Sequence, residues 1–364
     1  MPATTEGTKR YAERFKASAA NGYFSQQQGL TMSSVGLGTY LGNPDAETDE
    51  SYRAAMVRAV ELGVNVIDSA INYRFQRSER AIAHAIRDLV AFGKASRDEL
   101  VVATKAGYIA FETDQPVSPQ QYFADNFVKT GIASPRDLVA GCHCMTPGFL
   151  DHQINLSLRN LGIDTLDVFY LHNPETQLSE IERGEFFKSL RNAFACLEAA
   201  AGSGKIGMYG LATWNAFRVP GLSPDFISIE DVVQCARDVA GDGHHFRAVQ
   251  FPYNLAMTEA YSRFNQRIGE TSLPMIEASQ KLGLTVMASA SIYQSQLTRN
   301  LPEYIHKKLP GLKTDTQRAI QFVRSTPGIS VALVGMSKVQ HVEENLFIRT
   351  VPTNPDVIPK MFDA

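Results

Sequence analysis

Short apolar runs rich in β-branched residues alternate along the chain with longer amphipathic stretches. The runs are VGLGTY (35–40), VNVID (64–68), LVVATK (100–105), LDVFYL (166–171), IGMYGL (206–211), FRAVQ (246–250), LTVMAS (284–289) and ISVALVG (329–335). A run of four to seven apolar residues with no polar alternation reads as a strand covered on both faces, and the stretches between are long enough for helices. Glycine precedes several of the runs, at Gly63, Gly162, Gly204, Gly283 and Gly328. Glycine accepts the left-handed geometry that ends a helix, so these positions mark turns from helix into strand. Eight repeats of this unit predict an α/β fold, a (β/α)8 TIM barrel, with an open doubly wound sheet as the main competitor. Even spacing and the absence of a GxGxxG turn after the first run favour the barrel.

Two stretches break the rhythm. Residues 106–146 lie between the third run and its helix and contain aromatics among Pro, Asp and Gln. A connection of that length at a strand end reads as a wall over a binding pocket, with Tyr108, Phe111, Tyr122 and Phe127 as its aromatic lining, or else as a surface decoration. Residues 290–313 form the second long connection. Residues 1–34 read as an N-terminal extension whose FSQQQGLTMSS segment suits a hairpin under the barrel, leaving 35–364 as one barrel domain.

Composition narrows the function. A formal net charge of −3 and no basic stripe give no general attraction to nucleic acid. The apolar runs are too short to span a membrane, and the first residues lack the apolar centre of a secretory signal. A cytoplasmic protein is expected, with Cys142, Cys144, Cys196 and Cys235 as thiols. Cys142, His143 and Cys144 lack the partners that tetrahedral zinc requires, so no metal site is expected.

Polar residues at the strand ends carry the chemistry. Asp68, Lys105, His172, Gln250, Ser289 and Ser337 all fall at or just past the C-terminal ends of predicted strands, the rim where barrel enzymes keep their sites. Tyr73 follows Asp68 by five residues. A carboxylate, a phenol, an ammonium and an imidazole on one rim are the parts of a proton-transfer site. A lysine at a strand end is also compatible with Schiff-base chemistry in a lyase.

IDSAINYRFQRSERAIAHAI resembles the aldo-keto reductase segment in which an aspartate is followed by a tyrosine and then by a glutamate opening a helix. VVATKAGY, SLRNLGIDTLDVFYLHNPE, AVQFPYNL and VALVGMSKVQHVEEN resemble later blocks of that superfamily in the same order, from about Leu30 to Asn345. The resemblance implies a catalytic tetrad of Asp68, Tyr73, Lys105 and His172, with Tyr73 as general acid/base. It also implies a nicotinamide cofactor, NADPH by preference with NADH left open, and a small carbonyl or alcohol substrate. Cofactor contacts implied by matching positions are Gly38, Thr39, Tyr40, Asp68, Thr213, Asn215, Gln250, Ser289, Gly335, Ser337, Lys338, His341, Glu344 and Asn345. Ala212 and Thr213 stand where the family has a serine–asparagine pair, and Ser289, Ser291 and Ser295 depart from its usual residues. Those departures leave a second function class, an NAD(P)H-binding regulatory barrel with little turnover. The oligomeric state is not readable from the sequence.

Overall fold

A computed structural model describes residues 1–112 and 118–362. Eight parallel strands close on themselves: β1 (Val35–Gly38), β2 (Val66–Asp68), β3 (Val101–Ala106), β4 (Leu166–His172), β5 (Ile206–Ala212), β6 (Phe246–Pro252), β7 (Thr285–Ser289) and β8 (Val331–Gly335). β8 pairs with β1, and β6 with β7, so no barrel strand is left with an open edge. Each of the eight apolar runs became one barrel strand, in order.

The strands are buried on both faces. Outward residues such as Leu37, Ile67, Val102 and Phe169 meet the helical ring, while Val66, Val101, Val168, Met208, Met287 and Val331 fill the interior. Local chemistry fixes the helices. Asp45 caps α1 (Ala46–Glu61) by accepting the Thr48 backbone N–H. In α2 (Arg77–Ala91) the buried residues Ala81, Ile82, Ala85, Ile86 and Leu89 form one stripe against the barrel. Helix α3 (Pro147–Leu161) begins with proline and stops at Gly162, whose φ of 63° is the left-handed close expected of a glycine cap.

Before β1, Phe24–Gln27 and Leu30–Ser33 form an antiparallel hairpin. Its Leu30 and Met32 join the interior cluster with Val66, Val101 and Met287, so the hairpin stoppers the barrel at the N-terminal ends of the strands. The long connection after β3 folds on itself. A short helix (Pro119–Phe123) runs into a π-helical turn (Ala124–Val128), and Phe123, Phe127 and Phe149 pack with Ile109 and Cys144 as a satellite core. Phe111 and Tyr122 lean on that core as well, so of the four aromatics expected to line a pocket only Tyr108 does so. The others bury one another because a connection this long needs apolar contacts of its own to be ordered. Residues 113–117 of the same connection lie outside the described residues. Among the described residues no helix is long and apolar enough to cross a membrane.

Candidate active site

At the C-terminal ends of the strands lies a cavity of about 460 Å³. Its depth is set by backbone bonds that extend the ladder beyond the strands. Ser69 N–H donates to Ala103 O at 2.9 Å and Ile71 N–H to Lys105 O at 3.1 Å, which holds the segment after β2 alongside β3. Asn173 N–H to Ala212 O and Thr213 N–H to Gln250 O, at 2.6 and 2.9 Å, do the same for the ends of β4 and β5.

Lys105 reaches up from β3 into this floor. Its Nζ donates to Asp68 Oδ2 at 2.6 Å, to Ser69 O at 2.7 Å and to Tyr73 Oη at 3.5 Å, and it sits 5.0 Å from the centre of the Tyr73 ring. Three acceptors match the three N–H bonds of an ammonium. Gln250, on β6, donates to the other Asp68 oxygen at 2.8 Å. The Tyr73 and His172 rings meet edge to face, their centres 5.8 Å apart. The four groups singled out for proton transfer therefore stand together on one side of the cavity.

Their electrostatics are dominated by burial. The Tyr73 phenol is pushed well above its ordinary value, first by loss of water and then by the Asp68 anion. With burial and the Asp68 anion both acting in that direction, the phenol keeps its proton at neutral pH. Burial pulls Lys105 down while Asp68 pulls it back up. His172 is driven well below the ordinary imidazole value by burial and by the charge on Lys105, and is neutral at physiological pH. Its Nδ1 is buried with no hydrogen-bond partner among the described residues.

Of the positions expected to hold a cofactor, Gly38, Thr39, Tyr40, Asp68, Thr213, Gln250, Ser289 and Gly335 line the cavity. Thr39 Oγ1 is engaged with Asp68 O and Ser69 Oγ, a structural commitment. The Thr213 hydroxyl is buried, with no hydrogen-bond partner among the described residues. Ser337, Lys338, His341, Glu344 and Asn345 lie beyond β8, outside the cavity lining; Lys338, His341 and Glu344 are exposed and Asn345 is buried. Asn215 also lies outside it, with its Oδ1 toward Arg218 and its N–H on Glu175.

Two features of the site were not foreseen, and a third extends the loop already noted at Ser291 and Ser295. Glu175, buried just past β4, accepts the Trp214 and Asn215 backbone N–H bonds at 2.7 and 3.0 Å, and so holds the turn that carries Thr213. Its place in LHNPE was visible, but its partners are about forty residues away. Arg74, Phe75 and Gln76, immediately after Tyr73, all adopt left-handed φ, 50°, 56° and 69°. Their strain is balanced by clamps: Arg74 donates to Asn43 O and Asp49 Oδ1, and Gln76 to Ala110 O and Phe111 O. Ala290, Ser291, Ile292, Gln294 and Ser295 supply the opposite wall.

Comparison with known proteins bears on this site. The model of the Aldo/keto reductase family matches residues 34–363. The chain belongs to that family. Among curated relatives, the NADH-specific methylglyoxal reductase of Escherichia coli is 28% identical over 192 residues, which is 51% of this chain and 50% of that protein. The chain thus spans about half the length of that relative. The Schizosaccharomyces pombe aldo-keto reductase yakc, named for NADP(+), is 23% identical over 350 residues, 87% of this chain and 83% of that one. Among solved structures, a Klebsiella pneumoniae aldo/keto reductase in complex with NADP and acetate superposes with a TM-score of 0.62 at 20% identity, covering 94% of this chain and 95% of the other. At that identity the likeness supports the (β/α)8 fold of this aldo/keto reductase and nothing finer.

Proposed function

We propose that the protein is a cytoplasmic, NADPH-preferring oxidoreductase that interconverts a small carbonyl compound and its alcohol, with Tyr73 as general acid/base. The same reading takes 35–364 as a single barrel domain, 1–34 as its extension and 106–146 as an insertion. The observation that carries it is the contact chain from Asp68 through Lys105 to Tyr73 beside a neutral His172.

The cavity suits a nicotinamide cofactor. Among the described residues the buried Thr213 hydroxyl has no partner, and a Cβ built on Gly335 meets nothing within 4 Å, leaving open space at the end of β8. Thr213, Gln250 and Ser289 would hold its nicotinamide end, Gly38, Tyr40, Asp68, Ser291 and Ser295 the middle of the cleft, and Ser337, Lys338, His341, Glu344 and Asn345, with Asn215 nearby, the remainder. When bound, it supplies or accepts the hydride.

The remaining chemistry belongs to the protein. His172, being neutral, orients the carbonyl oxygen by a hydrogen bond without competing for its proton. Tyr73 is held protonated by burial and gives that proton to the oxygen as negative charge develops. The phenolate left behind lies beside the Lys105 ammonium, and Asp68 with Gln250 keeps the ammonium aimed. In the alcohol-oxidising direction the same path runs backward. Lys105 with three acceptors is a poor amine nucleophile, which counts against a Schiff-base lyase.

Single-turnover NADPH oxidation by wild type and Tyr73→Phe across a panel of aldehydes and ketones tests the reading. Loss of the hydroxyl should lower the chemical step roughly 10²–10⁴-fold while leaving NADPH affinity nearly unchanged. A full rate in Tyr73→Phe removes Tyr73 from the mechanism; NADPH binding with no turnover of any carbonyl favours the regulatory barrel.

A further inference from the structure

The substrate end of the cavity is uncharged and stiff. Among the described residues, the only ionisable acid or base of the Asp, Glu, Lys and Arg type on its lining is Asp68, and both of its oxygens are taken by Lys105 and Gln250. Leu41, Tyr108 and Trp214 are among the lining residues outside the cofactor contacts proposed above.

Tyr108 is held from three sides. Its hydroxyl accepts from Asn173 Nδ2 and pairs with Thr176 Oγ1, both at 3.2 Å. Its ring stands edge-on to His172 at 5.1 Å and to His143 at 5.2 Å. His143 in turn is buried, with Nε2 2.8 Å from the His172 carbonyl and Nδ1 2.7 Å from Gln177 Nε2. The same Gln177 nitrogen lies 3.3 Å from the His143 carbonyl, so two acceptors identify it as the amide NH₂. His143 is therefore the neutral tautomer with its proton on Nε2, donating to the backbone of His172. Gly107 makes the approach possible, since a Cβ there would sit 2.6 Å from His143 Nε2. The insertion after β3 is thereby pinned to the end of β4, and Tyr108 is wedged between the two imidazoles.

We propose that this braced wall makes the pocket selective for carbonyl compounds that carry no phosphate or carboxylate, with Tyr108 as the specificity-determining residue and His143 as its positioning residue. The inference rests on the reductase reading. An anionic group entering this space gives up its water and finds no free cation among the described residues, so it is disfavoured relative to a neutral analogue of the same shape.

Benzaldehyde and 4-carboxybenzaldehyde, reduced with NADPH, make the matched pair. Wild type should favour the neutral aldehyde by roughly ten- to a hundredfold in kcat/KM. Tyr108→Arg should narrow or invert that ratio through KM of the anionic aldehyde, with NADPH affinity unchanged. Leu41→Arg, at a half-exposed position of the same wall, introduces the charge without touching the brace if Tyr108→Arg does not fold. His143→Ala should raise KM for benzaldehyde more than it lowers kcat, and His143→Gln, which still offers an N–H to the His172 carbonyl, should restore much of it.

Binding of benzyl alcohol and of 4-(hydroxymethyl)benzoate to the NADP⁺-loaded protein asks the same question without turnover. It is read by the fluorescence of Trp214, the one tryptophan of the chain. Equal use or equal binding of the neutral and anionic partners by wild type overturns the inference while leaving the reductase reading intact. No turnover of either aldehyde or of any carbonyl in the panel above, with the neutral alcohol still bound preferentially, sinks the reductase reading and leaves the selectivity standing.

Discussion

Gln250 donates its side-chain amide to Asp68 Oδ1 at 2.8 Å, across the barrel from a residue 182 positions earlier in the chain. With Lys105 on the other oxygen, a buried carboxylate is satisfied from two strands at once. One Gln250 N–H is thereby committed within the protein, so any contact it makes to a bound ligand uses its remaining N–H or its carbonyl oxygen.

Gln250→Leu should leave Asp68 Oδ1 buried without a donor and cost about 1–3 kcal/mol of stability. Gln250→Glu should be worse near neutral pH, because it sets a second carboxylate against the first. Urea unfolding of both variants checks this, and an unchanged midpoint for Gln250→Leu contradicts the assignment.

Lys105→Met removes the cation between Asp68 and Tyr73. Breaking a buried pair from one side typically costs about 3–5 kcal/mol, so the variant should be clearly less stable as well as slow. Its catalytic loss and that of Tyr73→Phe should be far from additive in the double variant, since both act on one proton transfer. Additive losses in single-turnover rates would mean that the two side chains act independently.

Acid should weaken the fold through its buried imidazoles. Burial lowers His143 from 6.5 to about 4, so as pH falls through that window the unfolded chain takes up a proton that the folded chain refuses. Stability is therefore fully present above about pH 6.5, declines toward pH 4 by up to about 3 kcal/mol, and levels off below. His172, shifted the same way, adds to the slope. Urea unfolding at about pH 7 and about pH 5 should show a smaller difference for His143→Gln than for wild type. An identical pH slope in the two would show that His143 is not buried as a neutral group.

Cofactor preference is testable at the exposed residue after Ser337. Lys338→Glu should narrow or reverse a preference for NADPH over NADH, because a carboxylate repels the 2′-phosphate. Trp214 fluorescence during titration with each cofactor gives both affinities. Equal affinities in wild type would refute the expected preference.

The barrel was legible because parallel strands covered on both faces must be apolar throughout, and runs such as LDVFYL and ISVALVG admit few other readings. Polar residues at the ends of those runs were legible for the same reason, being the first side chains to leave the core. The contacts between them were not. Gln250 meeting Asp68, and Glu175 holding the amides of Trp214 and Asn215, depend on how strands close in space, which periodicity along the chain does not encode. Phe111, Tyr122 and Phe127 misled because an aromatic in a long loop fits a pocket wall or a small core equally well, and here they chose each other. Nor did RFQ after Tyr73 announce three left-handed residues, since none of them is glycine.

The hairpin stopper has a kinetic meaning. With Leu30 and Met32 set into a filled interior, the described residues close the barrel axis at the N-terminal ends of the strands, and the cavity opens at the rim. Two ligands that must meet at Tyr73 share one doorway. In the proposed reaction the ligand seated deeper would arrive first and leave last, an order imposed by architecture whatever the relative affinities of the two.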